Sequence, residues 1–238
     1  MLDNGDQLNI NIKGDVVNLV IHNQFDYDSI LRGDGSTQQK SALKRLTNSV
    51  YQKLGDDFQF IYFIFNEQQR VFPNSPYGYH TPVKNDIQGI GQGIFDFTEA
   101  YGSGGNLESV VVLSTQTDLI YGPSLHELAH RWGNYLKSPV DSLRQKEWLV
   151  WDDSDAYHWG YLSAAGQLGG WRDDFFNGEL SNASDNSYML TDGAEGAVGF
   201  SGIGPGNNFA KFSDLELYLM GLNPRESVAD LIEPKVKP

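Results

Sequence analysis

Gly122-Pro123-Ser124-Leu125-His126-Glu127-Leu128-Ala129-His130-Arg131-Trp132 decides how the rest of this chain is read. Leu125, Leu128, Ala129, Trp132 and Leu136 recur at helical spacing, which predicts an apolar stripe along one side of a helix. Pro123 suits the first helical position, with Gly122 before it as the cap. On such a helix His126 and His130 stand one turn apart on the same face, at i and i+4. Two imidazoles so placed can grip one metal ion, and the intervening Glu127 is placed to take a proton from water beside it. The competing reading is structural. Ser124-Leu125-His126-Glu127 also fits a capping box, in which Glu127 ties down a helix end. Pro123 argues against that reading, because it moves the helix start earlier.

Just upstream of this helix, Ser109–Leu113 is a compact Val-rich strand. Phe58–Phe65 is an apolar and aromatic run long enough for a strand buried on both faces. Between them, 72–82 reads as a Pro-, Gly- and Tyr-rich loop and 87–97 as a short glycine-containing strand. Further upstream, Leu43, Leu46, Val50 and Leu54 predict a helix capped by Ser36 and stopped by Gly55. At the start, Leu8, Ile10 and Ile12 alternate with polar residues as an edge or extension strand, and Val16–Ile21 reads as a more central one. Beyond residue 138 the periodicity weakens, although Ser213-Asp214-Leu215-Glu216 predicts a capped last helix closed by Gly221. This order implies α+β organisation, a mixed twisted sheet packed on helices. We expect a single domain over 1–238, with sheet and histidine helix in 1–138 and a loop-rich C-terminal part in 139–238.

Composition removes several function classes. A net charge of −14 repels phosphate backbones, so nucleic acid is not an expected partner. Cysteine is absent, which excludes disulfides, thiolate metal ligands and a cysteine nucleophile. No apolar run is long enough to span a bilayer. Met1-Leu2-Asp3-Asn4-Gly5 carries neither the basic nor the apolar region of a secretory leader.

A catalytic zinc takes three protein ligands and keeps one position open. The chain has five histidines. His22 and His80 read as surface or packing residues, which leaves His158 favoured as third ligand. Glu216 or Asp214 come next, then the carboxylates Asp152, Asp153 and Asp155, with Glu147 a further candidate. Carboxylates that do not bind the metal can still orient those residues that do. Tyr188 and Tyr218 are candidate donors to a tetrahedral oxyanion. The clusters Asp26-Tyr27-Asp28 and 152–155 are candidate calcium sites, with solvated loops as the default.

His126-Glu127-Leu128-Ala129-His130-Arg131-Trp132, then His158-Trp159, then Leu217-Tyr218-Leu219-Met220-Gly221-Leu222 resembles a group of bacterial zincin-like metallopeptidase domains. Gly89–Asp96 and Tyr101-Gly102-Ser103 share in the resemblance, which runs from about Gln88 to Pro224 with its motifs in order. Where that group often has Asp in the last motif, this chain has Glu216. The resemblance implies a zincin fold, Zn2+ as cofactor and export from the cell, hence a secreted or cell-surface protein. The expected activity is a zinc-dependent endopeptidase on protein or peptide substrates, with Glu127 catalytic and His126, His130 and His158 on the metal. Two other readings are an inactive zincin scaffold that binds protein or glycan, and a zinc amidase on cell-wall peptide.

Overall fold

The computed structural model describes residues 8–13, 16–133, 135, 158–159, 164, 166–169, 181–182, 188–189 and 208–230. It is an α+β protein whose chain divides into two compact units, Met1–Asp86 with Ile94–Leu119, and Ile87–Gly93 with Ile120–Pro238.

The first unit opens on an antiparallel hairpin of β1 (Leu8–Lys13) and β2 (Val16–Ile21). β1 is the small N-terminal extension its alternation predicts. β2 is not central, since it pairs only with β1 among the described residues and leaves Val17 and Val20 exposed. Next comes α1 (Gln24–Arg32), which the sequence reading missed. Its caps are local and ordinary: Asn23 accepts from the backbone of Phe25 and Asp26, and Gly33 ends it at a positive φ of 59°. The acidic Asp26-Tyr27-Asp28 run hid it. Asp26 is buried against Arg45, and Asp28 accepts from Gln24, so both carboxylates of this candidate calcium cluster have protein partners within a helix, where a solvated loop is the default expectation.

α2 (Thr37–Leu54) matches its expectation, with Ser36 accepting from the Gln39 amide and Gly55 closing the end. It buries Ala42, Leu43, Leu46, Val50 and Tyr51 in a core shared with Ile61, Phe63, Val110 and Val112. Those last four belong to a three-stranded mixed sheet in the order β3–β7–β4. β7 (Ser109–Thr115) is its centre and is buried at every position. β3 (Phe60–Glu67) runs parallel to it and β4 (Gly78–Pro82) antiparallel. β3 is well covered on one face only: its burial alternates and Ile64 is exposed, whereas the unbroken apolar run implied cover on both faces. β4 occupies the end of the segment read as loop, with Pro82 at its last position, where a missing N–H costs least.

β5 (Lys84–Asn85) and β6 (Phe95–Asp96) form a short antiparallel pair. The strand expected over 87–97 is therefore reduced to its last part. Gly89 and Gly91 take positive φ values of 90° and 87°, which an extended strand cannot contain, and Ile90 between them is buried. α3 (Gln116–Tyr121) follows β7 directly and was also unanticipated.

The second unit holds α4 (Ser124–Ala129), the bridges β8 (Ser181–Asn182) and β9 (Tyr188–Met189), and α5 (Asp214–Leu219). Ile90, Ala129, Trp159, Ala164, Leu168, Leu215 and Leu219 form its buried core, with Met220 packed against them as a core methionine. Among the described residues no helix is long and apolar enough to cross a membrane.

Candidate metal centre

α4 begins at Ser124, one residue later than Pro123 had suggested, and Pro123 supplies no side-chain cap. The helix start is held instead from a distant part of the chain. Asn208 accepts from the Leu125 amide at 3.1 Å and donates to Ser124 Oγ at 2.8 Å and to the Ile120 carbonyl at 3.1 Å. Glu127 does not close a capping box here. Its amide donates to the Pro123 carbonyl inside the first turn, and its side chain is buried.

The helix is shorter than the apolar stripe implied. After Ala129 it tightens, with the amides of Arg131 and Trp132 bonding three residues back. Gly133 then passes so close to Leu168 that a Cβ would stand 2.2 Å from its Cδ1. Tyr135 donates to the His130 carbonyl and satisfies one acceptor that the helix end would otherwise expose.

These constraints bring His126, His130 and His158 together. His126 is buried and the other two are half-buried. His126 Nε2 lies 3.1 Å from His130 Nε2 and 3.0 Å from His158 Nε2, and the possible ligand atoms of all three fall within 4.8 Å of one another. His126 Nδ1 is 2.6 Å from the Gln167 carbonyl oxygen. A carbonyl only accepts, so Nδ1 carries the proton and Nε2 of the neutral ring presents its lone pair to the cluster. One in-plane lone pair cannot accept well-aligned hydrogen bonds from two imidazoles at once. A cation shared by three nitrogen lone pairs fits the arrangement better, and the group can hold a metal ion. Burial pushes the His126 pKa down to about 4; the Gln167 hydrogen bond opposes this and the neighbouring His158 adds to it. The ring is thus neutral, as a metal ligand must be.

Glu216 and Asp214, the next candidates for third ligand, are placed by α5. Asp214 accepts from Asn223. Glu216 is 1% exposed and forms the capping box with Ser213 that the sequence predicts, so its carboxylate is engaged at the helix start. Burial raises its pKa, against the lowering effect of hydrogen bonds from Leu168, Ser213, Gln167 and Trp159. His80 hydrogen-bonds Ser109 in the first unit. Glu147, Asp152, Asp153 and Asp155 lie outside the described residues, as does the side chain of Tyr188, whereas Tyr218 is exposed on α5. Sequence reasoning missed Gln167, Asn208 and Tyr135. Each acts through a contact made by folding, and no spacing rule announces it.

No family model matches the chain, and neither a curated protein nor a solved structure is significantly similar to it.

Proposed function

We propose that this chain is a zinc-dependent endopeptidase with a zincin-like fold, exported from the cell and acting on protein or peptide substrates. The observation that carries the reading is the convergence of three imidazole Nε2 atoms, with His126 Nε2 at 3.1 Å and 3.0 Å from the other two. Ligands about 2.0–2.1 Å from a tetrahedral ion stand roughly 3.3 Å apart, within a few tenths of both spacings. An all-nitrogen set suits zinc better than calcium or magnesium, which take oxygen. His126, His130 and His158 would hold the ion. When bound, zinc supplies a Lewis acid for a carbonyl and brings the pKa of water to about 7.

The chain's own contribution to the chemistry lies in Glu127. As general base it takes a proton from the attacking water, and as general acid it returns that proton to the leaving amine. Its side chain is buried, and in sequence it stands beside the two histidines of its own helix turn. Gln167 fixes the His126 tautomer through its carbonyl.

The test pairs metal analysis with hydrolysis. Wild type, His126→Ala, His158→Ala and Glu127→Gln are compared for zinc content and for cleavage of a denatured protein mixture read by mass spectrometry. We expect near-stoichiometric zinc in wild type and in Glu127→Gln, loss of zinc in both alanine variants, and hydrolysis lowered about 10²–10⁴-fold in Glu127→Gln. Undiminished hydrolysis by Glu127→Gln would refute its role. Zinc retained by His158→Ala would move the third ligand elsewhere.

A further inference from the structure

Glu216 reaches further than its capping box requires. Closing the start of α5 uses one of its hydrogen bonds, from the Ser213 amide to Oε2 at 2.8 Å. The other three go to segments beside the histidine cluster: two to the Gln167–Leu168 stretch that contacts His126, and one to the residue after His158. Oε2 also accepts from the Gln167 amide at 2.9 Å, and Oε1 accepts from the Leu168 amide at 2.7 Å and from Trp159 Nε1 at 3.0 Å. An ionised carboxylate offers about four acceptor positions, so this one is fully used. The chain leaves no slack around it, since a Cβ at Gly166 would stand 2.1 Å from Oε2.

The Leu168 N–H and the Gln167 C=O are two ends of one peptide group. Its N–H donates to Glu216, and its carbonyl accepts from His126 Nδ1 at 2.6 Å. The sequence of contacts is carboxylate, peptide, imidazole. Anchoring the N–H on an anion polarises the amide and makes its carbonyl a stronger acceptor, because hydrogen bonds in series reinforce one another at low dielectric. The imidazole whose proton is so held has a more electron-rich Nε2. Histidine ligands commonly receive this assistance directly from a carboxylate or a carbonyl; here a peptide group relays it. The same carboxylate holds the indole of Trp159, the residue after His158, and the Trp159 amide donates to the Leu168 carbonyl at 2.8 Å.

We propose that Glu216 is the positioning residue of the histidine cluster, setting the tautomer and donor strength of His126 through the Gln167–Leu168 peptide and anchoring the chain beside His158. The proposal rests on these histidines being metal ligands and is independent of peptide hydrolysis.

The experiment uses the 238-residue chain with uniformly 15N-labelled histidine, as wild type, Glu216→Gln, Glu216→Asp and the exposed control Glu226→Gln. Folding is checked by far-UV circular dichroism. The Gln variant places an NH2 where two N–H groups already point. The Asp variant keeps the charge but is too short to span all four donors, and it stands in should the Gln variant fail to fold. Two readouts are taken, Co2+ affinity with its visible ligand-field spectrum, and the His126 tautomer in metal-free protein from long-range 15N–1H correlations. We expect Co2+ binding weakened about 10–100-fold with an altered spectrum, and His126 shifted from Nδ1–H toward a mixture of tautomers, while Glu226→Gln behaves as wild type. Wild-type affinity and tautomer in whichever Glu216 variant folds would overturn the proposal. Should wild type itself bind no cobalt, the metal reading falls, and the metal-free tautomer still decides whether Glu216 sets His126.

Discussion

Replacing Gly133 by alanine puts a methyl group where Leu168 already is. The added carbon would stand 2.2 Å from Leu168 Cδ1 and 3.2 Å from the Ala129 carbonyl oxygen. Carbon atoms in good contact are about 3.5–4.0 Å apart, so Leu168 has to withdraw by more than ~1 Å. It is fully buried, with Trp159 and Leu215 in the same core, and has no exposed space to move into. Overpacking of this kind costs about 1–3 kcal/mol. All five tryptophans lie in the second unit, so urea unfolding followed by tryptophan emission reports on that unit alone. With slopes of about 1–3 kcal/mol per molar urea, the midpoint should fall by roughly 1 M. A double-mutant cycle isolates the cause. Leu168→Ala alone costs about 2–5 kcal/mol, and in its background Gly133→Ala should cost almost nothing further. Strictly additive effects would show instead that the two side chains do not compete for one space.

Three further outcomes follow from the same structure. In metal-free protein the lowered pKa of His126 makes stability pH-dependent: the unfolded chain protonates near 6.5 and the folded one near 4, so stability is full above pH 6.5 and declines as pH falls between those values, by up to about 3 kcal/mol, measurable as urea midpoints in a chelator-containing pH series. Asn208→Ala should remove about 1 kcal/mol from the second unit, because the Leu125 amide and Ser124 hydroxyl lose a partner; an unchanged midpoint would mean that water replaces it fully. Arg45→Ala leaves Asp26 buried without its guanidinium and should cost the first unit about 1–3 kcal/mol, read by amide hydrogen exchange in α1 and α2 because that unit has no tryptophan; unaltered protection would sink the idea.

How much of this was legible in the sequence depends on the range of the interaction involved. α2 and the start of α5 could be read because Ser36, Gly55 and the Ser213–Glu216 pair satisfy backbone groups within their own turn. The pairing of His126 with His130 is also local, fixed by helical pitch. The small number of histidines makes His158 the favoured third member, and the fold places it beside them. What escaped was non-local or ambiguous. β4, an edge strand among the described residues, exists because β7 pairs with it, and its own Tyr, His and Pro content looks like loop. α1 carries clear caps but a polar composition. The start of α4 is capped by Asn208, more than eighty residues later in the chain. Glu216 gave a visible capping signal, yet nothing in its spacing showed that three of its four acceptor positions serve segments around the histidines.

The sheet of the first unit places its last strand in the middle. β3 and β4 are not hydrogen-bonded to each other; each pairs with β7, which lies after both in the chain. On a ribosome, therefore, Phe60-Ile61-Tyr62-Phe63-Ile64-Phe65 emerges with no strand to join, and waits until Thr115 has been synthesised before the sheet can close. An apolar strand with both edges open is the form most prone to pair with another chain. Soluble yield should accordingly depend on how quickly translation covers the interval from β3 to β7. Slow synthesis there would lengthen the exposure of β3, whatever the stability of the finished fold.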